Sequence, residues 1–206
     1  MRVSENGRKL SVWAVILLAA VMLLFLPQQA HAKTVSAAQV RKAADAIVSK
    51  QTKKIKKKDK EKKLEKVFRY ADKAFRYKGG TTPEAFVQAF VTKAGRTSNK
   101  VLRSAAYNML KKKKGTCLDE AMGLAYLIRR ATGYTVYLAV GETDAFTGKE
   151  QQHSWVEVKI GGQLYAFDSN LDRQQAGKSL KWYRIPTDGS DELYSHYRKK
   201  WSRKIK

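Results

Sequence analysis

Cys117, His153 and Asp168 are the residues whose types and spacing could do chemistry in this chain of 206 residues. Cys117 is the only cysteine; a run of four lysines precedes it and a strongly helical segment follows it. Unpaired N–H groups and the positive end of the dipole at a helix N-terminus favour a thiolate over a thiol. Lone cysteines, however, usually pack as small apolar groups. The cysteine therefore indicates nucleophilic catalysis only if a base and an orienting group can reach it.

A base and an orienting carboxylate follow Cys117 along the chain. His153 lies in a segment that alternates apolar and polar residues, and Asp168 directly follows a second such segment. The turn Gly161-Gly162 makes the two predicted strands antiparallel neighbours, which places Asp168 near the level of residue 155. A carboxylate in that position can bind the imidazole and hold its orientation, as the base of a nucleophile requires. His196 is the other histidine beyond the N-terminal segment.

The elements that must position these residues are predicted from hydrophobic periodicity. Apolar residues at steps of three and four predict helices; the one that starts at Cys117 is apolar over much of its circumference and stops at Gly133. Alternation predicts strands after Gly133, so helices packed on an antiparallel sheet make an α+β fold. The predicted helices cover 64–77, 82–94, 101–110 and 117–130, and the predicted strands cover 134–141, 151–160 and 163–167. The polar, basic and aromatic segment 169–206 could wrap back onto this domain.

The first 32 residues have the pattern of a secretory signal. Three basic residues near the start are followed by a continuous apolar run over 12–26, and Ala30-His31-Ala32 gives a small-x-small cleavage pattern. The run of 15 residues is shorter than the roughly 20 that a membrane-spanning helix needs. We therefore predict that 1–32 is a signal peptide and that the protein is secreted or associated with the cell surface. An uncleaved anchor is the alternative.

The remaining chain is predicted to hold one basic segment and one domain. Residues 33–63 carry a weak apolar stripe and a lysine-rich run that repels itself, which is typical of a solvated linker or an exposed helix. The more specific interpretation is that this segment tethers the protein to a wall or membrane surface. Residues 64–206 are long enough for one core of their own, and we expect a monomer.

The net charge of the chain indicates which class of partner it binds. The net charge is +24, and +22 remains once the three basic residues and Glu5 of the predicted signal are removed. For an exported protein, this charge favours anionic wall polymers or lipid headgroups over nucleic acid. A single cysteine leaves no intramolecular disulfide. With one cysteine, scattered histidines and no acidic cluster, neither zinc nor calcium is expected, and we predict no cofactor.

The motifs around the three residues resemble those of the transglutaminase-like superfamily, the papain-related group with a Cys-His-Asp triad. The resemblance extends over roughly residues 64–168. It rests on motifs in the family's order, which are Gly115-x-Cys117-x-x-x-Ala121, His153-Ser154-Trp155-Val156-Glu157-Val158 and Leu164-Tyr165-x-Phe167-Asp168, with weaker support from Phe75-Arg76-Tyr77 and Ala106-Tyr107-x-Met109-Leu110.

The resemblance implies a fold, an activity and a role for each residue. The fold would present Cys117 as a nucleophile at the N-terminus of a buried central helix, with His153 as general base and acid and Asp168 as the orienting carboxylate. Members attack a glutamine side-chain amide or a peptide-like amide and form a thioester, which an amine or water resolves. The backbone N–H of Cys117 is the expected first oxyanion donor. Tyr107 is a candidate for the second donor, with packing in the core as its alternative.

Two departures and one competing hypothesis accompany this interpretation. Ser154 follows the histidine where relatives commonly have alanine, and Ser169 follows the aspartate where proline is common. Neither change removes a functional group, so they bear on substrate fit. The main hypothesis is an exported enzyme, either a transamidase or a hydrolase (protease or deamidase), that acts on protein or peptide substrates at the cell surface. The alternative is a catalytically inactive module whose basic arms at 50–66 and 198–206 bind cell-wall or other anionic polymers.

Overall fold

A computed structural model describes residues 34–78 and 99–206 of the chain. The predicted signal peptide and the predicted helix over 82–94 lie outside the described residues. The elements are α1 (Ala37–Thr52), α2 (Lys60–Ala74), β1 (Arg76–Tyr77), α3 (Asn99–Lys112), β2 (Lys114–Gly115), α4 (Cys117–Thr132), β3 (Thr135–Thr143), β4 (Gln151–Ile160), β5 (Gln163–Phe167), α5 (Ser169–Gln175), β6 (Ile185–Pro186), a 3₁₀ turn (Glu192–His196) and β7 (Tyr197–Lys204).

Helix α4 is the element around which the other helices pack. Of its 16 residues, 14 are buried, as expected for a helix that is apolar on most of its circumference. It ends at Gly133, whose φ of 73° is the left-handed conformation that glycine adopts without strain. Cys117 is the first residue of this helix, so the predicted helix start and its stop are both confirmed.

Helix α1 adds to the core of the domain. Ser36 caps it by accepting a hydrogen bond from the N–H of Gln39, and the Gln39 side chain accepts one from the N–H of Ser36 in return. Val40 and Ala44 are fully buried in the same hydrophobic cluster as α4. The segment predicted as a basic helix or solvated linker thus contains a helix that packs on the domain, because its weak apolar stripe suffices to bury one face.

The strands form an antiparallel sheet in the order β6-β5-β4-β3-β7, which confirms the predicted α+β fold. Strands β4 and β5 have the predicted bounds, and Gly161 and Gly162 make the turn between them with φ of 58° and 93°. Strand β7 was not predicted. It pairs with the far edge of β3 through a register shift at Gly141, where a Cβ atom would lie 2.1 Å from the carbonyl oxygen of Arg198. Only glycine fits this close approach.

The C-terminal part of the chain builds a second hydrophobic cluster on the other face of the sheet from the main core. This second cluster contains Trp155, Leu171, Trp182 and Tyr197. The aromatic tail therefore wraps back onto the domain, as its composition indicated. Within 34–78 and 99–206, no helix combines the length and the apolar character needed to cross a bilayer.

Candidate active site

Cys117 is held at the start of α4 by a buried capping interaction. One oxygen of the Asp119 carboxylate, Oδ2, accepts hydrogen bonds from the backbone N–H of Thr116 at 2.8 Å and from the Thr116 hydroxyl at 3.0 Å. Gly115 makes room for this carboxylate, since a Cβ atom at residue 115 would lie 2.5 Å from Cβ of Asp119. The Gly-x-Cys motif thus fixes the chain before the helix, and it places the thiol where helix N–H groups lack intrahelical partners.

His153 and Asp168 are joined by a short buried contact. Nε2 of His153 lies 2.6 Å from Oδ2 of Asp168, and the two side chains are 1% and 2% exposed. The register of β4 with β5 brings them together, because the last pair, Val156 and Phe167, leaves Asp168 opposite the strand segment that carries His153. The ring of Phe146, which lies nearly perpendicular to the imidazole, and the stacked ring of Trp155 confine His153, with ring centroids at 5.1 and 6.2 Å.

Asp168 accepts four hydrogen bonds in the structure. Besides His153, its Oδ2 accepts one from the hydroxyl of Tyr197 at 3.1 Å. Its Oδ1 accepts one from the backbone N–H of Asn170 at 3.1 Å and one from that of Leu171 at 3.0 Å, which caps α5. Because both oxygens are held, the carboxylate cannot rotate away from the imidazole without breaking the start of α5.

The environment of His153 favours its protonated form. Burial disfavours the imidazolium, but the charge of Asp168 and its hydrogen bond outweigh burial, and the Cys117 side chain acts in the same direction, so the pKa of His153 rises to about 10. Since Nε2 faces Asp168, Nδ1 is the nitrogen left to exchange a proton with the Cys117 sulfur. An imidazolium beside a thiol sulfur stabilises the thiolate.

Cys117 and His153 line the same cavity, of about 250 Å³. The aromatic rings of Tyr77 and Phe146 and the hydroxyl of Thr147 form part of its wall. Five carboxamide side chains supply the rest, and they are Gln151, Gln152, Asn170, Gln174 and Gln175. Within the described residues, this lining contains no Asp, Glu, Lys or Arg side chain. The cavity therefore offers hydrogen-bond donors and acceptors to an uncharged, amide-like group.

A buried ion pair links the two helices that border the site. Arg173 on α5 donates two hydrogen bonds, at 2.7 and 2.8 Å, to the carboxylate of Glu120, one helical turn after Cys117. The side chains are 11% and 1% exposed. Burial raises the pKa of Glu120 to about 7, while Arg173 acts against that rise. The pair ties the thiol-bearing turn to the helix that Asp168 caps.

The structure brings the three predicted site residues together and leaves Tyr107 apart from them. Cys117 and His153 share a cavity, and His153 contacts Asp168; their catalytic roles stay a prediction. Tyr107 is half-buried against the main core and is not among the residues that line the cavity, so the structure gives its candidacy as an oxyanion donor no support. Its position on α3 directs it to the core, which was the alternative interpretation. His196 pairs instead with Asp144, Nδ1 to Oδ1 at 2.6 Å.

Two residues of the site were not predicted because they are far in sequence from the residues that they approach. Tyr77 lines the cavity because β1 pairs in parallel with β2, which sets Tyr77 beside Gly115. Tyr197 reaches Asp168 because β7 adds to β3. The pattern Phe75-Arg76-Tyr77 is part of the family resemblance, and it is the one signal in the sequence that points to Tyr77.

The sequence matches a known protein family. Residues 46–185, or 140 of the 206, match the model of a family described as a transglutaminase-like domain. No curated protein shows a significant match.

Three solved structures are similar to parts of the chain. A protein of Cytophaga hutchinsonii, solved as a candidate cysteine protease, is 18% identical over 67% of this chain and 39% of its own, with a TM-score of 0.44. A TGase is 12% identical over 82% of this chain and 48% of its own, with a TM-score of 0.40. A chain of the Rad4–Rad23 complex bound to a 6-4 photoproduct lesion is 13% identical over 82% of this chain and 41% of its own, with a TM-score of 0.37. The chain spans less than half the length of each of them.

Proposed function

The chain belongs to the transglutaminase-like family, and on that premise we propose that it is an exported cysteine enzyme that attacks amide bonds through a thioester on Cys117. The observation that carries the proposal is the buried contact of 2.6 Å between His153 and Asp168, with Cys117 in the same cavity as His153. Such a nucleophile, base and orienting carboxylate are the parts that acyl transfer requires.

The first half of the reaction forms the acyl-enzyme. The Cys117 thiolate attacks the carbonyl carbon of the amide, a C–S bond forms, and the carbonyl electron pair moves onto oxygen. As this tetrahedral species collapses, the C–N bond breaks and His153 gives its proton to the departing nitrogen. Ammonia leaves from a glutamine side chain, and an amine leaves from a peptide bond. His153 is then neutral, and the thioester remains on the sulfur.

The second half transfers the acyl group. An amine or water attacks the thioester carbon and gives a proton to neutral His153, the C–S bond breaks, and the thiolate–imidazolium pair is restored. An attacking amine gives transamidation, and water gives deamidation or proteolysis. Asp168 does not take the proton; it holds the imidazole in the required orientation and stabilises its charge.

The oxyanion of each tetrahedral species needs donors that are in place beforehand. The backbone N–H of Cys117 is the first, because the first N–H groups of a helix have no intrahelical partner. The phenol of Tyr77 takes the second role in this proposal. It lines the Cys117 cavity and follows from a strand paired with the residues just before Cys117. Replacing Tyr77 by Phe is expected to lower kcat about tenfold or more while the fold persists, since the side chain is half-exposed.

The cavity supports a substrate whose reacting portion is uncharged. Its carboxamide walls can bind a peptide backbone or a glutamine side chain through paired donors and acceptors. We propose protein or peptide substrates at the cell surface. The location rests on the N-terminal sequence pattern and is tested by N-terminal sequencing of the protein recovered from the cell exterior. A chain that begins at residue 33 supports it, and protein recovered from the cytoplasm with Met1 retained contradicts it.

The experiment that tests the activity uses glutamine-containing peptides. Release of ammonia reports the first half-reaction, incorporation of a tagged primary amine reports transfer, and intact mass after acid quenching reports the acyl adduct. We expect the wild-type protein to give ammonia and an adduct, and Cys117→Ala and His153→Gln to give neither. Ser154→Ala is the matched control beside the imidazole and retains both signals. Ammonia release that persists in Cys117→Ala contradicts the proposal.

The catalytically inactive module remains the second candidate, because the basic surface described below needs no chemistry at Cys117. The two are separated by the same assay. A wild-type protein that binds anionic polymers yet yields neither adduct nor ammonia or amine products from any amide donor, peptide bonds included, is the binding module.

A further inference from the structure

A basic groove lies between the end of α1 and the exposed face of α2, in the part of the domain built from residues 50–69. Its volume is about 740 Å³. Six cationic side chains line it, and they are Lys50, Lys53, Lys54, Lys62, Lys66 and Arg69. None of them lines the Cys117 cavity, so the basic groove is a separate feature of the surface.

Few acidic groups offset this charge. Arg69 pairs with Glu65 at 2.7 Å and Lys62 pairs with Asp59 at 3.3 Å, and exposed pairs of this kind contribute little. Within the described residues, no carboxylate forms an ion pair with the remaining four cations of the groove. Cations gathered in a concave surface add their potentials and attract anions strongly at moderate salt.

The fold holds these charges together in spite of their repulsion. The opposite face of α2 is fixed in the core by Leu64, Val67 and Phe68, all fully buried, and α1 is fixed by Val40 and Ala44. Asp59 caps α2 by accepting a hydrogen bond from the N–H of Lys62 at 3.1 Å. The backbone of α2, the end of α1 and the turn that follows it therefore hold two cationic walls near each other, which is the arrangement that a ligand with several negative charges needs.

The shape and composition of the groove indicate a thin, base-free chain. Lys62, Lys66 and Arg69 follow one another at helical spacing, over about 10 Å of α2, and face Lys50, Lys53 and Lys54 on the other wall. In the part of the chain that the structure describes, no aromatic side chain lines the groove, whereas proteins that bind single-stranded nucleic acids stack bases on aromatic rings.

A bilayer fits the groove less well than a chain does. Among the described residues, Tyr77 is the one large hydrophobic side chain that is mostly exposed, and it belongs to the Cys117 cavity rather than to this surface. Among the described residues that line the groove, Ile55 is the one apolar side chain, and it is only partly exposed. The groove thus offers little to insert into lipid, and its concave walls enclose a strand better than they contact a plane. We propose that the basic groove binds a base-free, phosphate-rich polyanionic chain.

The test measures binding of purified protein to inorganic polyphosphate of defined length, with single-stranded DNA, anionic lipid vesicles and neutral dextran compared at the same salt. The groove variant is Lys53→Gln/Lys54→Gln/Lys66→Gln. The matched control, Lys42→Gln/Lys159→Gln/Lys206→Gln, removes the same charge from exposed positions outside the groove. All six side chains are exposed, so both variants keep the fold, which circular dichroism verifies.

We expect the groove variant to bind polyphosphate about tenfold more weakly or worse, and the control to change it less than about threefold. The slope of log K against log salt should fall by about 2 in the groove variant, since each contact with a single-stranded polyanion contributes roughly 0.7. Equal losses in the two variants would show that net charge alone binds, and would overturn the proposal. Tighter binding to single-stranded DNA or to vesicles than to polyphosphate would overturn the choice of ligand. Neither result depends on whether Cys117 is catalytic.

Discussion

The hydroxyl of Tyr197 donates a hydrogen bond of 3.1 Å to Oδ2 of Asp168, the same oxygen that lies 2.6 Å from Nε2 of His153. Tyr197 is buried at the first position of β7, and burial raises its pKa well above 10, so its hydroxyl stays protonated at neutral pH. The last strand of the chain therefore contacts the carboxylate of the candidate triad directly. Tyr197 is a positioning residue in this account, since it acts through Asp168.

Removing this hydroxyl should change the pH dependence of activity. In Tyr197→Phe, Asp168 loses one neutral donor and directs more of its charge to the imidazolium, so the pKa of His153 should rise further and the alkaline limb of kcat/KM should move to higher pH. We also expect about a fivefold loss of kcat and about 1 kcal/mol of stability.

The matched control is Tyr194→Phe, because the Tyr194 hydroxyl donates to the buried Glu157 at 2.8 Å rather than to Asp168. It should lose similar stability without moving the alkaline limb. If the alkaline limb of kcat/KM does not move in Tyr197→Phe, the Tyr197 hydroxyl has a purely structural role.

Replacing Asp168 by Asn tests the cause of the raised pKa of His153. The amide can still accept the N–H groups that cap α5, but it removes the charge that opposes the effect of burial on the imidazolium. The pKa of His153 should then drop from about 10 to below its ordinary value. A pH profile should show the alkaline limb moving down by several pH units, with activity at pH 8 falling about a hundredfold or more. If the alkaline limb of Asp168→Asn stays at the wild-type pH, a group other than His153 determines it.

Breaking the buried ion pair of Glu120 and Arg173 should destabilise the fold strongly, whereas replacing both residues together should destabilise it little. Arg173→Met leaves the Glu120 carboxylate buried without its partner, which should destabilise the fold by about 3–5 kcal/mol at pH 8. The loss should shrink at pH 5, where Glu120 is protonated, because burial already raises its pKa to about 7. The double variant Glu120→Met/Arg173→Met should recover most of the loss in urea unfolding.

A half-exposed pair supplies the control for that measurement. Arg130→Met removes the contact of 2.6 Å with Asp45 in side chains that are 39% and 45% exposed, so it should cost about 1 kcal/mol or less. If Arg173→Met costs no more than Arg130→Met, the buried pair does not hold α4 against α5.

Asp72 should make the protein less stable at neutral pH than in mild acid. Its side chain on α2 is buried, and burial together with the charge of Asp172 raises its pKa to about 6. A raised carboxyl pKa means that the folded state binds more protons, so stability falls as pH rises from about 4 to 6. Asp72→Asn should therefore stabilise the fold by about 3 kcal/mol at pH 8 and by little at pH 4.

Asp188, whose pKa is lowered rather than raised, is the comparison for Asp72. Hydrogen bonds from Ser190 lower the pKa of the exposed Asp188, so Asp188→Asn should lose stability at neutral pH instead of gaining it. Denaturant unfolding at several pH values measures both. A destabilised Asp72→Asn at pH 8 would contradict the assignment.

The sequence predicted the parts of the site that depend on local pattern. The start of α4 at Cys117, the stop at Gly133 and the bounds of β4 and β5 follow from periodicity and from glycine turns, and the turn at Gly161-Gly162 was enough to bring His153 and Asp168 together. The parts that depend on distant pairing were not predicted. The segment Tyr197–Lys204 reads as a basic surface stretch, and it becomes a strand because β3 offers an open edge.

The same limit explains the residues that were missed or misplaced. Helix α5 is seven residues long and polar, so its capping by Asp168 and the partnership of Arg173 with Glu120 left no periodic signal. Tyr107 and Tyr77 are both aromatic residues upstream of Cys117, and only the parallel pairing of β1 with β2 distinguishes them. Long-range contacts of this kind are set by packing rather than by local propensity.

The pairing of Cys117 with His153 is the central claim, and the rate of Cys117 alkylation by iodoacetamide tests it most directly. His153 lies in the same cavity as Cys117 and its pKa is raised, and an imidazolium beside a thiol favours the thiolate. At pH 7, alkylation, followed by intact mass, should be at least about tenfold slower in His153→Gln than in wild type. At pH 10, where an ordinary thiol is ionised, the two rates should converge. Equal rates at pH 7 would contradict the account.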